Sequence, residues 1–190
     1  MKKLYTTLMA LLLAAVLPAM LTSCEWVEDV EIADTLEGTW EGNMYVYSTW
    51  NGRSYDATYS EITFLRNPYA FSSGEGYWVD YYSDAPWDYV ANHITWRVDA
   101  GHIKVYFREE DTTIIIHDYS LNNNHFRGWI EDGDNDVEFS LVHTSSPNWD
   151  NYDHWGYDDW YDDYYYYSRT RSAAADSVTV TEKPVRHIGK

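Results

Sequence analysis

Cys24 is the only thiol among the 190 residues, so any nucleophilic sulfur chemistry of this chain must pass through it. It follows a positive start, Met1-Lys2-Lys3, an apolar run from Leu8 to Leu21 interrupted by Pro18, and the residues Thr22 and Ser23. A charged start, an apolar middle and small residues before a cut are the layout of a secretory signal peptide. The run is shorter than the roughly 20 residues a spanning helix needs, so residues 1–23 read as a removed signal rather than an anchor. With one Cys, no internal disulfide can form and the fold must hold by its core.

The other groups capable of chemistry are less specific. Asp132, Asp134 and Asp136 have the spacing of the first half of a calcium loop, but Val137 stands where that loop needs Gly and His143 where it needs Glu. A charged hairpin turn accounts for them better. His93, His102 and His125 fall on outward strand positions, and no His pair has helical metal spacing. There is no Ser elbow, Cys–His pair or phosphate loop. No catalytic residue, metal site or cofactor is therefore assigned, and the chain is read as non-enzymatic.

The segment Leu21-Thr22-Ser23-Cys24 resembles the lipobox of bacterial lipoproteins. That resemblance implies acylation of the Cys24 thiol, which makes the membrane a partner through the lipid, since each buried methylene contributes ~0.8 kcal/mol. Glu25, Glu28, Asp29 and Glu31 follow closely, and residues 24–34 read as an acidic linker. An acidic run at this place is similar to the surface-export signal of lipoproteins in some Gram-negative phyla. The implied location is the outer membrane, facing the cell surface, with the periplasmic face as the alternative.

The formal net charge is −18, and it becomes −20 once a signal carrying Lys2 and Lys3 but no acid is removed. Such a surface repels phosphate backbones, which argues against nucleic acid as a partner. Nothing in the composition fixes an oligomeric state.

Between residues 35 and 145 the period is two, the period of strands. Trp40, Gly42, Met44 and Val46 share one face of a first strand, and Asn51-Gly52 is a hairpin signal. Tyr55 to Phe64 switches parity, which predicts a bulge near Ser60. Ile94, Trp96 and Val98, then Ile103, Val105 and Phe107, then Phe126 and Ile130, then Val137, Phe139 and Leu141 form the inward sets of later strands. Eight strands joined mostly by tight turns predict an all-β, antiparallel up-and-down barrel, because closure removes the two exposed edges of an open meander. No segment has helical period over the length of a typical helix.

The opening Gly38-Thr39-Trp40 resembles the Gly-x-Trp start of lipocalins, in which the Trp plugs the closed end of the barrel. The resemblance implies a lipocalin-like barrel over residues 35–145, although the lipocalin disulfide and a clear packed helix are missing. Trp40, Met44, Trp96, Phe107, Phe126 and Phe139 are the candidates for lining a cavity that holds a small apolar ligand.

From residue 146 the composition changes. Trp149 to Tyr167 interleaves Trp and Tyr with Asp and contains no Lys or Arg. Residues 146–190 read as a flexible tail that the barrel does not need. Exposed Tyr and Trp can stack on sugars or on protein side chains. The alternative to ligand binding is therefore a surface module for glycan or protein, with the barrel as a filled scaffold.

Overall fold

The computed structural model describes residues 26–133, 135–144, 152, 154–157 and 183–189. The signal segment, Cys24, Asp134 and most of the Trp149–Tyr167 run lie outside the described residues. Helix α1 covers 26–36. It leads into β1 (Gly38–Asn43), β2 (Val46–Trp50), β3 (Arg53–Arg66), β4 (Ser73–Tyr82), β5 (Tyr89–Asp99), β6 (His102–Phe107), β7 (Thr112–Leu121), β8 (His125–Asp132) and β9 (Asn135–Thr144), with β10 (Val185–Ile188) near the end.

Each strand from β3 to β9 pairs antiparallel with the next, and β1 pairs with both β9 and β3. The result is the expected closed, eight-stranded all-β barrel, built from β1 and β3–β9. The first strand differs from the single element read in the sequence. The Asn43 side chain accepts the Tyr45 amide at 2.7 Å, and Tyr45 has φ 52°, so the chain kinks and β2 leaves the barrel wall. β2 instead forms a flap with the first half of β3 and accepts β10 on its other edge. The β3 bulge falls between Ala57 and Tyr59, slightly before the predicted place.

Turn chemistry sets the register. Asn51-Gly52 and Ala100-Gly101 have positive φ at both positions, the type I′ geometry that matches strand twist. At Gly76 the backbone passes so close to β3 that a Cβ would sit 1.8 Å from the Thr63 carbonyl oxygen. Only glycine permits that approach.

Helix α1 was not legible as a helix, and within the expected linker of residues 24–34 the described part, 26–34, is helical rather than a plain linker. The helix caps one end of the barrel through Asp29, Ala33 and Leu36, all buried. The Asp29 carboxylate accepts the Ala100 and Gly101 amides at 3.1 and 2.8 Å. This puts a polar group at the place where helical periodicity would show an apolar one. Beneath α1, Trp40 is fully buried, donates its indole N–H to the Leu36 carbonyl at 2.8 Å and meets Phe126 edge-on at 5.7 Å. The Trp plug expected from the Gly-x-Trp opening is thus in place, and the helix that seals this end accompanies it.

Trp40→Ala should cost ~3–5 kcal/mol, the range for emptying a large core site. Denaturant unfolding measures it, and a loss under ~1 kcal/mol would contradict the burial described.

Candidate functional site at the barrel mouth

The inward face changes character along the barrel. Toward α1 it is apolar, and all six cavity candidates are buried, with Phe107 also lying against Arg186 at the other end. Trp40, Met44, Trp96, Phe107, Phe126 and Phe139 are each no more than 3 % exposed and join one contiguous cluster. Phe126 meets Phe139 at 4.8 Å, Trp96 meets Phe64 at 5.5 Å and Phe107 meets Trp78 at 5.2 Å. Trp96 alone also borders an outer groove of about 480 Å³ across β4–β7.

Toward the other end the inward positions turn polar. Ser60, Asp80 and Asn92 are buried there on β3, β4 and β5. Asp80 Oδ1 accepts the Ser60 hydroxyl at 2.6 Å and the Trp78 indole N–H at 2.8 Å. Its Oδ2 accepts Arg186 Nε at 2.6 Å. Arg186 comes from β10, and its guanidinium lies 4.9 Å from the Trp78 ring centre and 4.5 Å from that of Phe107. Asn92 donates to Glu110 Oε1 at 2.8 Å. Burial raises the Glu110 pKa above the ordinary carboxylate value, against the lowering effect of Arg186. Burial also disfavours the Arg186 charge, but the Asp80 and Glu110 carboxylates more than offset it and hold its pKa above the ordinary value.

Around this pair stands an aromatic cluster carried mostly by loops and the β2–β3 flap: Trp50, Tyr55, Tyr82 and Trp87, with Tyr157 from the tail. Ser48 is buried, and its hydroxyl bonds Tyr82 at 2.7 Å and also Tyr157. A cavity of about 220 Å³ opens beside Arg186, lined by Glu109, Glu110, Thr112, Tyr157 and residues 183–186.

The tail residues that are described are docked, contrary to the expectation of a dispensable end. Tyr152 covers Tyr77, Val79 and Ala91 on the outer face of β4–β5. It bonds Tyr81 at 2.9 Å and donates to Glu61 at 2.9 Å. Trp155 stacks on His93 at 3.7 Å, so His93 is not a plain surface histidine, and its Nδ1 lies 2.6 Å from Glu109. Asp80 was missed because an isolated acid between Val79 and Tyr81 looks like ordinary alternation, and its partner lies more than a hundred residues away. Among the described residues no group of His, Cys, Asp and Glu is arranged to hold a metal.

The family comparison agrees with this architecture. Residues 36–128 match the family model of a lipocalin-like domain, from the last residue of α1 to the middle of β8. A redesigned β barrel is similar at 10 % identity, covering 60 % of this chain and 96 % of that one, with a TM-score of 0.38. No curated protein matches. The fold is lipocalin-like, a class that generally binds apolar molecules and does not catalyse reactions.

Two predictions follow from the mouth and its cover. Arg186→Met should cost ~3–5 kcal/mol in denaturant unfolding, because it leaves the Asp80 charge buried and uncompensated. Adding Asp80→Asn should recover most of the loss, and purely additive losses would contradict the pairing. The second concerns alkaline pH. Burial raises Tyr119 and Tyr81 to about 12, and raises Tyr82 and Tyr157 as well. The neutral phenols therefore favour the folded state, fully so below the unfolded value of about 10, and that contribution is lost as pH rises from there through about 12. Phenolate absorbance should rise together with loss of fold; titration of all tyrosines near pH ~10 in a folded protein would contradict the burial.

Proposed function

We propose that this protein is a non-enzymatic outer-membrane lipoprotein, held by an acylated Cys24, that binds its ligand at the mouth of a lipocalin-like barrel. The observation that carries the reading is the asymmetry of the two barrel ends. Helix α1 starts at Trp26, two residues after Cys24, so the lipid would attach at the end that α1 seals. That end exposes Trp26 (56 %), Tyr69 (90 %) and Phe71 (50 %), with Trp26 and Phe71 in edge contact at 6.4 Å. Aromatic side chains of this kind sit well at a membrane surface. Among the described residues no helix is long and apolar enough to cross a membrane. The mouth then points away from the bilayer, where a ligand arrives.

The packed lower barrel moves the binding site upward. Trp40 and its neighbours leave an apolar ligand little reason to go deep, whereas Trp50, Tyr55 and Trp87 form a separate aromatic cluster on loops and the flap, which a ligand would enter by displacing its cover. The same filled interior favours the second reading, a scaffold that binds glycan or protein through outward aromatics such as Trp129, 40 % exposed on β8. A panel of small apolar ligands and glycans separates the two. Mouth binding predicts that Trp87→Ala loses the ligand and Trp129→Ala keeps it, and the scaffold reading predicts the reverse.

The anchor is tested separately. Cys24→Ser should lose the acyl mass and move from the membrane pellet to the soluble fraction. A Cys24→Ser protein that stays in the pellet with unchanged mass would overturn the lipoprotein assignment.

A further inference from the structure

The barrel closes through β1 pairing with β3 and β9, with no contribution from β10. β10 is four residues long, pairs among the described residues with the β2 flap alone, and leaves Val185 half exposed. Yet this short strand delivers a guanidinium to the most polar place inside the barrel. Arg186 is there a side chain on a strand outside the barrel wall, anchored by Ile188 in the core, and it is held in a site that the wall builds by itself.

The wall supplies everything a planar cation needs. Trp78 and Phe107 present ring faces at 4.9 and 4.5 Å from the guanidinium carbon, a distance at which cation–π attraction operates. Asp80 is fully buried and already has one oxygen oriented by Ser60 and Trp78, which leaves Oδ2 for an incoming donor. Asn92 lies directly across from Trp78 in the β4–β5 register, and Glu110 sits beside it. The fit of Arg186 to this site is incomplete on both sides. Among the described residues, Arg186 Nη2 is buried without a partner, and so is Asn92 Oδ1. A buried donor and a buried acceptor are both left unmet, at a cost that a native interior normally avoids. Arg186 enters from β10 in the register Arg186↔Ser48 with its Nε held by Asp80 Oδ2, whereas a guanidinium not tied to a strand can choose its own orientation.

We infer that the pocket formed by Asp80, Asn92, Trp78 and Phe107 is a binding site for the guanidinium group of an external ligand, and that Arg186 is its built-in occupant, displaced when the ligand enters. The ligand approaches through the cavity between the β6–β7 turn and residues 183–186. The acidic surface, formal charge −18, draws such a cation toward the mouth. Guanidinium is preferred to a simple ammonium because it is planar, stacks on aromatic faces and carries several donors in one plane. In the resting protein the plug lowers apparent affinity by the fraction of molecules in which β10 is open.

This inference rests on the mouth being the ligand site, and the experiment separates the two claims. The probe is N-ethylguanidinium chloride, with ethylammonium chloride at equal ionic strength as the control, on the full chain. Calorimetric titration should give saturable binding to Arg186→Ala, about tenfold or more tighter than to the wild type. Asp80→Asn in the Arg186→Ala background should abolish it. In the wild type, the probe should speed hydrogen exchange at the β10 amides of Arg186 to Ile188, and ethylammonium should not. If Arg186→Ala folds poorly, the probe should restore its thermal transition, because it refills the site. Absence of both saturable binding and rescue in Arg186→Ala overturns the site. β10 exchange that responds to an apolar ligand or glycan but not to the probe overturns the ligand class and leaves mouth binding standing. If β10 remains closed to the probe and to the whole panel, and the panel finds no binding dependent on Trp87, both readings fall and Arg186 is a structural plug.

Discussion

A closed barrel of eight strands has two ends, and each end must be sealed if its interior is to stay dry. Eight strands enclose a space just wide enough for side chains to fill or for one small ligand. Here the wall is complete without help, because β1 meets both β9 and β3. Other described segments close the ends. Helix α1 seals one with Ala33 and Leu36 over Trp40. The β2 flap, Tyr157 and β10 seal the other with Arg186 on Asp80.

The two seals differ in physical kind. At the α1 end the contact is apolar burial around Trp40, with the Asp29 carboxylate fixing the helix to the Ala100-Gly101 turn. Such a seal gains by excluding water and has no reason to open. At the mouth the seal is an ion pair in a low-dielectric interior, where removing two charges from water offsets much of their attraction. Unpartnered atoms on Arg186 and Asn92 weaken it further. The interior is thus closed by apolar burial at one end and by a buried charge pair at the other.

The aromatic tail has a comparable division. Tyr152 and Trp155 cover Tyr77, Val79 and His93 on the outer face of β4–β5, while Tyr157 reaches the mouth. Aromatic rings combine apolar area with a hydroxyl or indole handle, so they can cover a sheet face and still satisfy its polar groups. The Tyr81, Tyr152 and Glu61 chain of hydrogen bonds is an instance. The outward face of these strands is thus an inner surface of the whole molecule.

Local pattern along the chain was enough to foretell most of the barrel wall. Alternation at Ile94, Trp96 and Val98 and the Gly-x-Trp opening are local, and strands of period two with tight turns leave few other solutions. Even the inward identity of Trp40, Phe126 and Phe139 was readable, because the pleat fixes which side each residue faces. What the tertiary structure decided was everything that depends on distant partners. Asp29 looked like linker acidity until the turn amides at Ala100 and Gly101 gave it a purpose. Asp80 looked like strand alternation until Arg186 arrived from the far end of the chain. A buried charge has no periodicity of its own: its meaning lies in the opposite charge that the fold brings to it, and spacing along the chain does not carry that information.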